Sequence, residues 1–284
     1  MSLVEKIFML LFSAIVFISA CSQGDEYKSP EGYNLNKPEK FIMPESLHEI
    51  SGIAFYNGSS DTIYAEQDED GKVFYFTPGD EKINSVKFNG HGDYEDIAVC
   101  RGAIIILRSD GTLFTFPLNS ITKDEIDSVN EWKKILPEGE YEGMYANEST
   151  GKIYLLCKHC KDDNGKTHQG YIYQLADDGN LQSAGSFTID VNKIEELSGE
   201  KKMEFHPSAL AMKPATGEWY ILSSVNKILV TVDSNWNVQQ VYKLNPSVFI
   251  QPEGMAFDQE NNLYISNEGG DASKGNILKF EIKK

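Results

Sequence analysis

The chain has 284 residues, 40% of them hydrophobic and 11% aromatic, with a formal net charge of -17. That composition fits a globular chain with a sizeable core. The charge argues against nucleic acid or an anionic membrane surface as partner, since both would be repelled, and leaves cations, neutral ligands and proteins.

Met1 to Ala20 reads as a processing segment. Lys6 supplies a thin positive region, Ile7 to Ser19 is an apolar run too short to span a bilayer comfortably, and small residues precede Cys21. The Ile18-Ser-Ala-Cys21 end resembles a bacterial lipobox, in which the cysteine becomes the lipid-modified first residue after cleavage. Asp25 and Glu26 behind it resemble the acidic export signal of surface lipoproteins. The resemblance implies a signal peptide over 1–20, a lipid on Cys21 and an outer-membrane lipoprotein, periplasmic or surface-exposed, that meets the membrane through its anchor alone. Residues 21–39 are polar, carry Pro30, Gly32 and Pro38 and show no period, so they predict a flexible tether. The folded domain is expected over 40–284.

Within that domain one unit recurs. HEISGIAF, DYEDIAVC, EYEGMYA, HPSALAM and QPEGMAF each open a short apolar run, followed by a polar turn and two further runs rich in β-branched and aromatic residues. The equivalent positions Ser51, Glu95, Glu142, Ser208 and Glu253 stand 44, 47, 66 and 45 residues apart. An all-strand unit of this length predicts a blade of a β-propeller. Outer strands are expected at Ile83 to Phe88, Glu131 to Leu136, Leu181 to Ile189 and Val238 to Leu244. The last unit has none, and Lys40 to Met43 can supply it, so an N-terminal strand would close a ring of five blades and remove its open edge. Six blades would require a divergent unit in the long step, where Lys158 to Gly170 and Val191 to Lys202 read instead as loop insertions.

HEISGIAF, DEDGKVFYF, DYEDIA, YEGM and QPEGMAFDQENNLYISNEG, in this order from about Phe41 to the end, resemble the motifs of the SdiA-regulated propeller family. The resemblance implies a propeller near the esterase-like-phytase and gluconolactonase groups, without an assigned reaction.

In a propeller the loop into each inner strand shares a rim with the end of the second strand. That rim gathers Glu49, Ser51, Glu95, Glu142, His206, Ser208 and Glu253 from the strand starts. Glu66, Asp68, Arg108, Lys158, Ser223, Asn226, Asn267 and Glu268 join them from the second strands. Converging carboxylates must protonate, pair with a cation or bind a metal. Glu49, Glu95, Glu142 and Glu253 form a candidate site for Ca²⁺ or Mg²⁺, since oxygen donors suit hard cations. The plainer alternative is architectural: the carboxylate accepts strand-start amides and the glycine of each Glu-Gly pair permits a tight turn. Asp68-Glu-Asp-Gly71 lacks the further ligands of a calcium loop and reads as a hairpin turn.

Cys157-Lys-His-Cys160 admits half a zinc site, a redox pair, a local disulfide, or a buried Cys157 beside a free Cys160; Cys100 reads as a small core residue. No GxSxG motif is present, and Ser208 and Ser51 near His206 and His48 read more simply as structural. Arg108, Lys158 and Lys227 are too scattered to hold phosphates well. Two functions follow. One is a binding propeller that takes a small ligand or protein partner at an acidic mouth; the other is a Ca²⁺-dependent hydrolase with His206, Glu142 or Glu253 as catalytic candidates.

Overall fold

The structure, a computed structural model, describes residues 27–161, 163 and 165–283. The signal segment and Cys21 lie outside the described residues. No helix among the described residues is long and apolar enough to cross a membrane.

Five four-stranded antiparallel sheets make a ring. After β1 (Glu39–Ile42), blade 1 is formed by β2 (Ile50–Tyr56), β3 (Ser59–Gln67), β4 (Asp70–Phe76) and β5 (Asn84–His91). Blade 2 follows with β6 (Tyr94–Cys100), β7 (Ala103–Arg108), β8 (Leu113–Pro117) and β9 (Asn130–Trp132), and blade 3 with β10 (Gly139–Asn147), β11 (Lys152–Cys160), β12 (Thr167–Leu175) and β13 (Leu181–Asp190). Blade 4 contains β14 (Ala209–Met212), β15 (Trp219–Ser223), β16 (Ile228–Val232) and β17 (Val238–Lys243). Blade 5 contains β18 (Pro252–Phe257), β19 (Leu263–Asn267) and β20 (Asn276–Phe280), and β1 pairs with β20 to complete it. The five blades and their N-terminal closure are those expected from the repeat.

Each sheet is apolar on both faces, so the core is divided among the five seams between blades. Ala98, Ile105 and Leu107 meet Tyr141 and Leu155 between blades 2 and 3; Ile53, Phe55 and Ala65 meet Ala256 and Tyr264 where blade 5 closes on blade 1. Cys100 is buried and free, as its place at an inner-strand end suggested.

Two expectations change. The insertions in the long step are structured: β11 and β12 extend into a long hairpin arm, and residues 191–198 form a helix, α1 (Val191–Ser198). Asp190 caps it by accepting from the Lys193 amide, Gly199 ends it in the left-handed region, and Val191 and Ile194 pack against blade 4. The second correction concerns the tether. Tyr33 and Leu35 are buried among Phe257, Tyr220 and Phe280, Tyr33 Oη donates to the Asn261 carbonyl, and the Lys283 amide donates to that of Gly32. The tether predicted over 21–39 is therefore part of the domain from Tyr27 onward, because two apolar side chains in a polar stretch suffice to fix it.

Candidate functional site

Four inner strands carry a register irregularity at their first residues: Ile50/Ile53, Tyr94/Asp96, Tyr141/Gly143 and Pro252/Met255. A bulge re-aims the side chains around it. Here it lets Glu95 face the channel while the next residue, Asp96, reaches into the neighbouring blade.

Below the rim, polar bonds tie the inner strands together. Ser51 Oγ donates to the Glu95 carbonyl (2.9 Å), Asp96 Oδ2 accepts from the Met144 amide (2.6 Å), Ser208 Oγ donates to the Pro252 carbonyl (3.1 Å) and Ser266 Oγ to that of Ser51 (2.5 Å). Glu66 Oε1 accepts from the Gly52 amide (2.5 Å). The glycines of the motif serve this closeness and not a tight turn. A Cβ on Gly52 would lie 2.4 Å from Asp96 Oδ1, and one on Gly254 2.4 Å from the Ser51 carbonyl oxygen. Replacing Asp96 with Ala should thus leave the Ile97 and Met144 amides buried and unpartnered. The expected loss is about 3 kcal/mol in denaturant unfolding, against little for the exposed control Asp80→Ala.

Above these bonds lies the mouth, a cavity of about 220 Å³ on the ring axis. Glu49, Glu95, Glu142 and Glu253 all line it, with Ser51, Asp68, Glu268 and Lys158. Asp93 and Glu140 also line it and were not singled out from the sequence. Each stands two residues before a rim glutamate, and period-two alternation in a strand was the signal that could have found them.

Glu142 is paired with the Lys158 ammonium, which also lies 3.4 Å from Glu140. Burial pushes Glu95 up to about 9, Glu253 to about 8 and Glu142 to about 7; other carboxylates add to each shift, and Lys158 opposes it. Burial, then Glu49, lifts Asp68 to about 6. Both routes by which converging carboxylates relieve repulsion, protonation and a cation partner, are thus present.

A second cavity, of about 310 Å³, adjoins the first and shares Glu142, Lys158 and Glu253 with it. It is completed by His206, Ser208, Ser224, Lys227 and others. The His206 ring meets that of His159 at 4.4 Å, its Nδ1 is buried without a partner, and burial lowers its pKa. Ser223 and Asn226 hold the start of blade 4: Ser223 Oγ donates to the His206 carbonyl and Asn226 Oδ1 accepts its amide.

Like Ser223 and Asn226, three further predicted rim residues line neither mouth cavity. Glu66 is fully buried one step below the rim, where burial raises it well above the usual carboxylate range. Asn267 is buried against Asn276. Arg108 is held by Asp110 over the Phe114 ring and does not line either mouth cavity. Ser51 and Ser208 spend their hydroxyls on the inter-blade bonds, as the structural reading had it. Cys157 and Cys160 form a disulfide, which resolves the CxxC alternatives and encloses Lys158 and His159 in a short loop beside the mouth.

The fold is similar to that of three solved proteins. They are the calcium-binding protein regucalcin from Agrobacterium tumefaciens (12% identity, TM-score 0.51, 89% of this chain and 95% of that one), and glutaminyl cyclase from Myxococcus xanthus (13%, 0.54, 87% and 96%). The third is the PQQ-bound aldose sugar dehydrogenase from Streptomyces coelicolor (10%, 0.52, 90% and 100%). At such identity the likeness concerns the fold. No curated protein matches the chain in sequence. Residues 172–270, from the third strand of blade 3 to the loop after β19, match the model of the SdiA-regulated family, the same family that the motifs resemble.

Proposed function

We propose that this is a cell-envelope binding propeller, held by a lipid on Cys21, whose acidic mouth takes a hard cation, Ca²⁺, together with a small ligand or protein partner. The observation that carries this reading is the charge imbalance: eight carboxylates and a single lysine line the mouth cavity. Protonation of some carboxylates reduces the imbalance without removing it, and a bound cation would offset the remainder. The carboxylate donors are oxygen, which suits Ca²⁺ or Mg²⁺, and Asp68 Oδ1 is buried without a partner.

As they stand, no three His, Cys, Asp or Glu side chains among the described residues close round one metal position. The Lys158 ammonium serves as the cation, so Ca²⁺ would have to displace it from Glu142. When bound, Ca²⁺ would offer a Lewis-acidic centre to an oxygen of the ligand. A hydrolase reading draws on one further observation. His206, whose lowered pKa keeps it neutral at pH 7, shares its cavity with Glu142 and Glu253 and could accept a proton there.

The test is thermal unfolding with Ca²⁺, Mg²⁺ or chelator. With free Ca²⁺ a hundredfold above its dissociation constant, a rise of about 5–10 °C is expected. The rise should shrink in Glu142→Gln and Glu253→Gln and grow in Lys158→Ala. No shift in either wild type or Lys158→Ala would refute the metal site. Turnover of ester, lactone or phosphoester substrates that is lost in His206→Ala would favour the hydrolase.

A further inference from the structure

The far end of the channel has the opposite chemistry. Where the inner strands finish, a cavity of about 240 Å³ opens on the face away from the acidic mouth. Its wall includes one ring of Ile53, Ile97, Met144, Leu210 and Met255, one from each blade, and a second ring with Phe55, Val99, Met212 and Phe257. Polar groups lie at its lip, among them Asn57, Glu148 and Gln259.

Between the two rings, four blades place an alanine at the same strand position: Ala54, Ala98, Ala211 and Ala256. Each of them packs in a seam between blades and also borders this open space. A larger side chain at these alanines would overpack the seam and crowd the cavity beside it. In blade 3 the equivalent residue is Tyr145, whose ring packs at 5.2 Å against Trp219.

We infer that this end of the channel is a binding site for a small, uncharged, largely apolar molecule of one aromatic ring or a short alkyl chain. The volume sets the class. An apolar cavity of about 150 Å³ is enough to admit benzene, while pockets for drug-sized ligands begin at about 300 Å³. The methionines give the wall a soft, adaptable surface. A charged ligand is disfavoured because the wall offers it no buried counter-charge, and the lip amides suit a single polar substituent. The site is independent of the cation reading of the mouth.

Toluene is the probe, read by thermal unfolding of the full chain in chelator so that the mouth contributes nothing. At tenfold saturation the melting temperature should rise by about 3–6 °C. Ala98→Leu and Ala256→Leu, which crowd the cavity from different blades, should each abolish the rise. Phe257→Ala, which enlarges it, should keep it. No rise in the wild type would overturn the inference, as would a rise of equal size in whichever leucine variant folds. Loss of the rise in Phe257→Ala alone, with the leucine variants still responding, would overturn it as well.

Discussion

Deleting residues 27–43 should lower the melting temperature by about 15 °C or more, the largest change expected of any truncation that spares the repeated units. Three terms act together. β20 loses its partner along the register from Glu39↔Lys279 to Ile42↔Asn276, which exposes a strand edge. The Met43 amide, which donates to the Gly275 carbonyl at 2.8 Å, goes with it. Finally, Tyr33, Leu35 and Met43 leave the seams beside blade 5, at about 1.5–3 kcal/mol for each buried side chain. For a domain of this size each kcal/mol is about 2–4 °C. A deletion of residues 22–26 alone removes none of these contacts and serves as the control. Equal melting of the two deletions would show that the ring holds without its N-terminal closure.

How much of this was legible in the sequence depends on the range of the signal. The five units declared themselves because each repeats an apolar run, a turn and two more runs, and strand alternation is local. Closure followed from arithmetic, since the last unit lacked an outer strand and one spare run existed. The seam contributed by Tyr33 and Leu35 was less visible, because two apolar residues carry no period and their partners Tyr220, Phe257 and Phe280 lie near the other end of the chain. The acidic rim was readable as a set but not member by member. Glu66 and Asp68 share a strand face, yet Glu66 sits one step deeper and is taken by the Gly52 amide. Asp96 was overlooked beside Glu95, because only a bulge lets neighbouring residues serve the channel and the next blade at once. Lys158 gained its role from the disulfide-closed loop and the Glu142 opposite it, a pairing set by the register of β10 on β11.

The melting temperature should also fall as pH rises from 7 to 9, in the absence of added divalent cation. Glu95 and Glu253 hold folded-state values of about 9 and about 8, far above an unfolded glutamate. Below those values the folded protein keeps protons that the unfolded chain has released, so raising the pH favours unfolding until both groups ionise. The sign is opposite to that of Asp110, whose carboxyl the Arg108 guanidinium holds at about 2 and whose stabilisation is already complete above pH 5. His168 and His206, lowered chiefly by burial, contribute a rise that is finished near the ordinary histidine value. Lys227, also lowered by burial, opposes the carboxylates in part. Between pH 7 and 9 Glu95 and Glu253 contribute a loss of up to about 4 kcal/mol, at about 1.4 kcal/mol per unit for each proton, and Glu66 and Asp96, both raised well above the usual carboxylate range by burial, add to it with the same sign. In Glu95→Gln and Glu253→Gln the slope should flatten, because each removes one titrating group while keeping its shape, and in the double variant only the share of the buried Glu66 and Asp96 should remain. A melting temperature that is level or rising over this range in the wild type would mean that the mouth carboxylates ionise without penalty. In that case their burial would not give the mouth its demand for a cation.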